Sequence, residues 1–84
     1  MLLSWVEFAW EDYLYWQTTD KKALKRINLL IKYIQRQPLD GLGEPETLKH
    51  NWSAYWSRRI NKEHRIIYKV TDTAIIISQS RYHY

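Results

Sequence analysis

Every glycine and proline in this 84-residue chain falls between positions 38 and 45, as Pro38, Gly41, Gly43 and Pro45. Both residue types interrupt helices and strands, so this stretch must be loop, and the two long segments flanking it are free to be regular. The two sides follow different periodicities. On the N-terminal side, Ser4 and Glu7 have the spacing of a capping box, which predicts a helix starting there. Val6, Ala9, Trp10, Tyr13, Leu14 and Gln17 then form one stripe, with Glu7, Glu11, Asp12 and Tyr15 facing away. Thr18, Thr19 and Asp20 end that helix and cap a second. In the second helix Leu24, Ile27, Ile31 and Ile34 recur at helical spacing through Arg36, with Lys21, Lys22, Lys25 and Lys32 outside. The tight junction predicts a helical hairpin. Ahead of it, Leu2 to Trp5 is long enough for one edge strand only.

On the C-terminal side the pattern is that of strands over 54–60, 64–70 and 74–80, with turns at 61–63 and 71–73. Short turns between consecutive strands imply an antiparallel meander. The expectation is a single α+β domain over residues 1–84, an N-terminal helical hairpin packed on a C-terminal antiparallel sheet of about four strands.

Composition narrows the chemistry. The chain has no cysteine, which removes disulfides and thiolate zinc sites. Met1 to Trp5 lacks a basic region followed by an apolar one, and no run is long enough to cross a membrane, so a soluble, unexported, cytoplasmic protein with no membrane contact is expected. No glycine loop is placed to cradle a phosphate, and no Asp pair suggests a magnesium site. His50, His64 and His83 are too far apart in sequence for typical metal spacing. No cofactor and no metal are expected. Charge is divided unevenly: up to Glu46 there are six Lys and Arg against seven Asp and Glu, a net −1, and from Thr47 onward seven against two, a net +5. A basic half interleaved with Trp52, Tyr55, Trp56, Tyr68, Tyr82 and Tyr84 suits phosphate attraction with base stacking. A solvated basic sheet over a Tyr-rich core accounts for the same composition.

Within that half, the meander can bring together Glu46 and Lys49, Arg58 and Arg59, Arg65, and the C-terminal Arg81-Tyr82-His83-Tyr84. Strand alternation places Arg65, Ile67 and Lys69 on one face and Ile66, Tyr68 and Val70 on the other, and the charged face is expected to be the open one. A carboxylate, guanidinium groups and an imidazole suffice to cleave RNA through its own 2′-hydroxyl without a metal. Glu46 is the candidate base, His83 the candidate acid, and Arg65, Arg59 and Lys49 the candidate phosphate-binding cations. Each has a plainer alternative. Glu46 follows a proline and suits a solvent-exposed turn, His83 suits a frayed tail, and Arg58 and Arg59 suit one solvated arginine and one cross-strand salt bridge. A non-catalytic basic RNA-binding module and a Trp-rich protein-interaction domain are the competing readings.

The runs Lys49-His50-Asn51, Trp56-Ser57-Arg58-Arg59-Ile60, Glu63-His64-Arg65 and Arg81-Tyr82-His83-Tyr84 together resemble the YoeB toxins of the RelE superfamily, as do Asp12-Tyr13-Leu14-Tyr15-Trp16-Gln17 and Thr19-Asp20-Lys21. The likeness covers the whole chain, and Arg81-Tyr82-His83-Tyr84 is its most specific part. It implies a microbial-ribonuclease-like fold and an endoribonuclease that cleaves mRNA in the A site of the 70S ribosome. Glu46 is then the general base, Arg65 the phosphate-stabilising arginine, His83 the general acid and Tyr84 a residue that orients substrate, with Lys49 and Arg59 as supporting cations. The resemblance also implies inhibition by a YefM-like antitoxin and a homodimer.

Overall fold

The computed structural model describes residues 1–48 and 54–82. Strand β1 (Leu2–Trp5) leads into helices α1 (Glu7–Thr19) and α2 (Lys21–Arg36); β2 (Glu46–Thr47), β3 (Tyr55–Arg59), β4 (Arg65–Val70) and β5 (Ala74–Gln79) follow the glycine–proline loop. The expected α+β layering holds. The sheet has five strands in the order β1-β5-β4-β3-β2, one more than the four or so expected. The three long strands form that meander. Leu2–Trp5 adds to its edge as expected, but lies parallel to β5, so the sheet is mixed. Among the described residues, no helix is long and apolar enough to cross a membrane.

Helix α2 follows its sequence closely. Asp20 caps it, its Oδ1 accepting from the backbone N–H of Lys22 (3.0 Å) and Ala23 (3.2 Å). Ala23, Ile27, Leu30 and Ile34 are buried, Leu24 and Ile31 pack at the margin, and Lys21, Lys22, Lys25 and Lys32 are exposed.

Helix α1 departs from expectation twice. Its N-cap is Val6, with no side-chain cap, because Ser4 is held in β1 opposite Ile76 and the Val6 N–H continues the pairing onto the Ile77 carbonyl. The helix begins only where that pairing stops. Its buried side is Ala9, Asp12 and Trp16, whereas Val6, Trp10, Leu14 and Gln17 face out. Aromatic and apolar residues occur all around α1, so periodicity does not single out a face, and polar partners decide the rotation. The Trp16 Nε1–H donates to the Ser80 carbonyl (2.8 Å), and the Asp12 carboxylate accepts from the Ser80 N–H (3.3 Å). The core lies between the helices and one sheet face: Ile27, Leu30 and Ile34 meet Ile66, Tyr68, Ile75 and Ile77.

Candidate active site

Residues directly opposite each other in neighbouring strands project to the same face. Pairing of Glu46 with Ser57 and of Ser57 with Ile67 places a carboxylate, a hydroxyl and an apolar side chain in one row across β2, β3 and β4. Arg59 opposite Arg65 forms the adjacent row, and Tyr55 opposite Lys69 flanks it on the other side. All of these lie away from the helices. The alternation expected in β4 therefore holds, with Ile66 and Tyr68 in the core behind.

This face is only partly open. Glu46 is exposed; Arg59, Tyr55 and Lys69 are half-buried; Ser57, Arg65 and Ile67 are buried. Arg65 is 6% exposed and its Nη1 donates to Ser57 Oγ at 2.9 Å, so its guanidinium is fixed in place. No carboxylate among the described residues pairs with it within 4.0 Å, which leaves its charge available to an anion. Arg59 lies 3.5 Å from Glu44 Oε2, and its backbone is tied to the loop by its N–H donating to the Gly43 carbonyl (2.7 Å). The Lys69 ammonium lies 5.7 Å from the centre of the Tyr55 ring. Strand register thus brings Glu46 to within one strand of the Ser57 hydroxyl that Arg65 holds.

Two sequence expectations change. Arg58 is neither solvated nor, among the described residues, part of a salt bridge: it is fully buried on the helix side, where Nε donates to Tyr68 Oη (3.0 Å) and Nη1 to the Leu42 carbonyl (3.0 Å). Its Nη2 donates to the carbonyls of Gln37 and Asp40. A cation at the C-terminal end of α2 also meets the negative end of that helix dipole. Tyr68 likewise belongs to the core and cannot stack a base. Burial raises its phenol above the ordinary value, opposed by Arg58. Trp56 packs at the core margin.

Lys49, His83 and Tyr84 lie outside the described residues. The segment that leads to the last two is firmly placed. Ser80 is held by α1, Arg81 lies with its guanidinium 3.5 Å from the Tyr15 ring centre, and the Tyr82 carbonyl accepts from the Arg65 N–H (2.9 Å). Desolvation raises the Asp12 carboxyl above the ordinary value, against the lowering effects of the Ser80 N–H and the nearby Arg81. The sequence reading overlooked both Ser57 and this anchorage. Ser57 shares strand parity with Arg59, which is a legible signal. The link from Asp12 and Trp16 to Ser80 spans nearly the full chain and leaves no local trace.

Residues 5–84 match the family model for the YoeB-like toxin of bacterial type II toxin–antitoxin systems. Toxin YoeB of Escherichia coli (strain K12) is 57% identical over 84 residues, covering 100% of both chains. Two solved structures from Staphylococcus aureus are similar over 100% of this chain: a YoeB dimer (TM-score 0.93, 48% identity, 98% of that chain) and a heterotetrameric YoeB–YefM toxin–antitoxin complex (TM-score 0.89, 49% identity, 99% of that chain). Shared identity on this scale, running from end to end over the same arrangement of helices and strands, means that the chain belongs to the YoeB family of toxins.

Proposed function

We propose that this toxin is a cytoplasmic, ribosome-dependent endoribonuclease that cleaves mRNA in the ribosomal A site by metal-independent acid–base chemistry. Glu46 removes the proton of the 2′-hydroxyl, and the resulting alkoxide attacks the adjacent phosphorus. Arg65, with Arg59 and Lys49 beside it, neutralises the charge that gathers on the phosphorane oxygens. His83 protonates the departing 5′-oxygen, and Tyr84 orients the nucleotide. The observation that carries this reading is the meeting of Glu46 and the held Arg65 across Ser57, on the sheet face that the helices leave uncovered. An exposed carboxylate one strand from the hydroxyl that a buried guanidinium holds, with no ion-pair partner for that guanidinium among the described residues, suits proton removal near a phosphate. The partners that follow are mRNA on the 70S ribosome, a YefM-like antitoxin as in the staphylococcal complex, and a second copy as in the staphylococcal dimer.

The test uses purified protein and ribosomes programmed with a defined mRNA. A single 2′-deoxy substitution at the cut position should block cleavage, and normal cutting there would exclude the 2′-hydroxyl route. Glu46→Ala and Arg65→Ala should each slow single-turnover cleavage by about 100-fold or more while ribosome affinity stays nearly intact. Equal loss of binding and cleavage would favour a non-catalytic RNA-binding module.

A further inference from the structure

The last described residues of the chain are held by a side chain to which neither the family likeness nor the reaction above gives a role. The Tyr82 N–H donates to His64 Nδ1 at 2.8 Å, and the Tyr82 carbonyl accepts from the Arg65 N–H at 2.9 Å. One dipeptide, His64-Arg65, thus grips one residue through both of its backbone polar groups. Tyr82 needs that grip, because its φ of +68° lies in the left-handed region that a bulky residue occupies only when its surroundings impose it.

The imidazole itself is well placed. Its ring stands edge-on to Trp16 at 4.8 Å between centres, and Trp16 is in turn fixed by its hydrogen bond to the Ser80 carbonyl. Accepting at Nδ1 requires the tautomer with its hydrogen on Nε2, and Nε2 points toward Glu63 Oε2, 3.9 Å away. The same carbonyl group that Arg65 holds is covalently joined to His83.

We infer that His64 is a positioning residue: by accepting the Tyr82 N–H it sets the backbone turn from which His83 and Tyr84 depart, and couples that turn to the strand carrying Arg65. The inference rests on the reading of His83 as the acid, and deepens it. His64 touches no substrate in this scheme. It acts through the backbone of Tyr82, and through it on how often the acid and the arginine stand in register. Misplacement of a reacting group by about 1 Å can cost about 100-fold in rate, so a lost clamp should be visible in the chemical step.

The experiment compares the full-length wild type with His64→Phe, which keeps a ring against Trp16 but has no acceptor, and with His64→Asn, whose Oδ1 stands near the Nδ1 position. Tyr82 amide exchange measured by NMR should be about 10-fold faster in His64→Phe than in wild type, reporting local opening of the segment. Single-turnover cleavage on saturating programmed ribosomes should fall by about 10- to 100-fold in the same variant with ribosome affinity little changed, and His64→Asn should recover most of both losses. A variant-free measurement guards against a folding failure: wild-type spectra should show coupling between the Tyr82 amide nitrogen and His64 Nδ1 through the hydrogen bond. Unchanged Tyr82 exchange in a folded His64→Phe, absence of that coupling, or lack of recovery in His64→Asn would overturn the inference. Because exchange and coupling need no ribosome, a wild type that fails to cut mRNA would sink the proposed nuclease while leaving the His64 clamp to be decided by its own two readouts.

Discussion

A buried guanidinium with no carboxylate partner among the described residues is an unusual way to hold a loop, yet Arg58 does so through the carbonyls of Gln37, Asp40 and Leu42 and the Tyr68 hydroxyl. Its fork is irreplaceable by a lysine, whose single ammonium cannot face all those acceptors. Arg58→Lys should lower unfolding free energy by about 2–4 kcal/mol in urea titration, a large share of what a small domain possesses. A loss under about 1 kcal/mol would mean that the loop carbonyls find other donors. Asp12 gives a pH prediction. Its carboxyl is raised in the fold chiefly by desolvation, so the folded protein binds that proton more tightly than the unfolded chain does. The associated stability is complete below the ordinary value of 3.8 and is lost as pH climbs through the raised value. Asp12→Asn, which cannot ionise, should therefore gain on the wild type as pH rises from acid toward neutral, read as the difference between their urea midpoints. A constant difference would contradict the raised carboxyl.

At the scale of elements, the loop between α2 and β2 is set by Gly43 more than by its prolines. Gly43 has φ +92°, and a Cβ built there would stand 2.7 Å from Leu30 Cδ2 and 3.1 Å from Arg58 Cβ. Gly43→Ala should cost about 2–3 kcal/mol and shift β2, and with it Glu46, relative to β3. Thermal unfolding measures the cost, and cleavage rate measures the shift. Wild-type stability would show that Leu30 can withdraw freely. Elements were legible in the sequence where a single force dominated them. Asp20 capping α2, the lysines lining its outer side and the alternation along β4 follow from local chemistry. The rotation of α1 was not legible, because Trp16 and Asp12 turn inward to satisfy Ser80, a partner far along the chain. The two-residue β2 was missed since so short a strand has no period, and it exists only as a partner of β3.

For the whole molecule, the candidate site divides the same way. Alternation put Arg65 on the open face with Ile67 and Lys69, and the meander only allowed Glu46 and Arg59 to approach it. Neither could separate Arg58, which serves packing, from Arg59, which faces Glu44. Ser80 and Tyr82 are held by α1, His64 and Arg65, so deleting His83 and Tyr84 should abolish cleavage while keeping the circular dichroism spectrum and shifting Tm by only a few degrees, roughly what ~1 kcal/mol does in a domain this small. Loss of folding would make those residues structural, and retained cleavage would remove them from the chemistry. The parallel pairing of β1 with β5 has a consequence for the birth of the protein. The first strand to leave the synthesising ribosome must wait for the last one, and the interior strands β4 and β5 are both made late. Such distant pairings form only after their loop entropy has been met, so a growing chain can assemble its hairpin of helices but not its sheet. The Glu46–Ser57–Arg65 constellation needs β2, β3 and β4 brought together, so the candidate site is a late product of folding that follows the hairpin of helices.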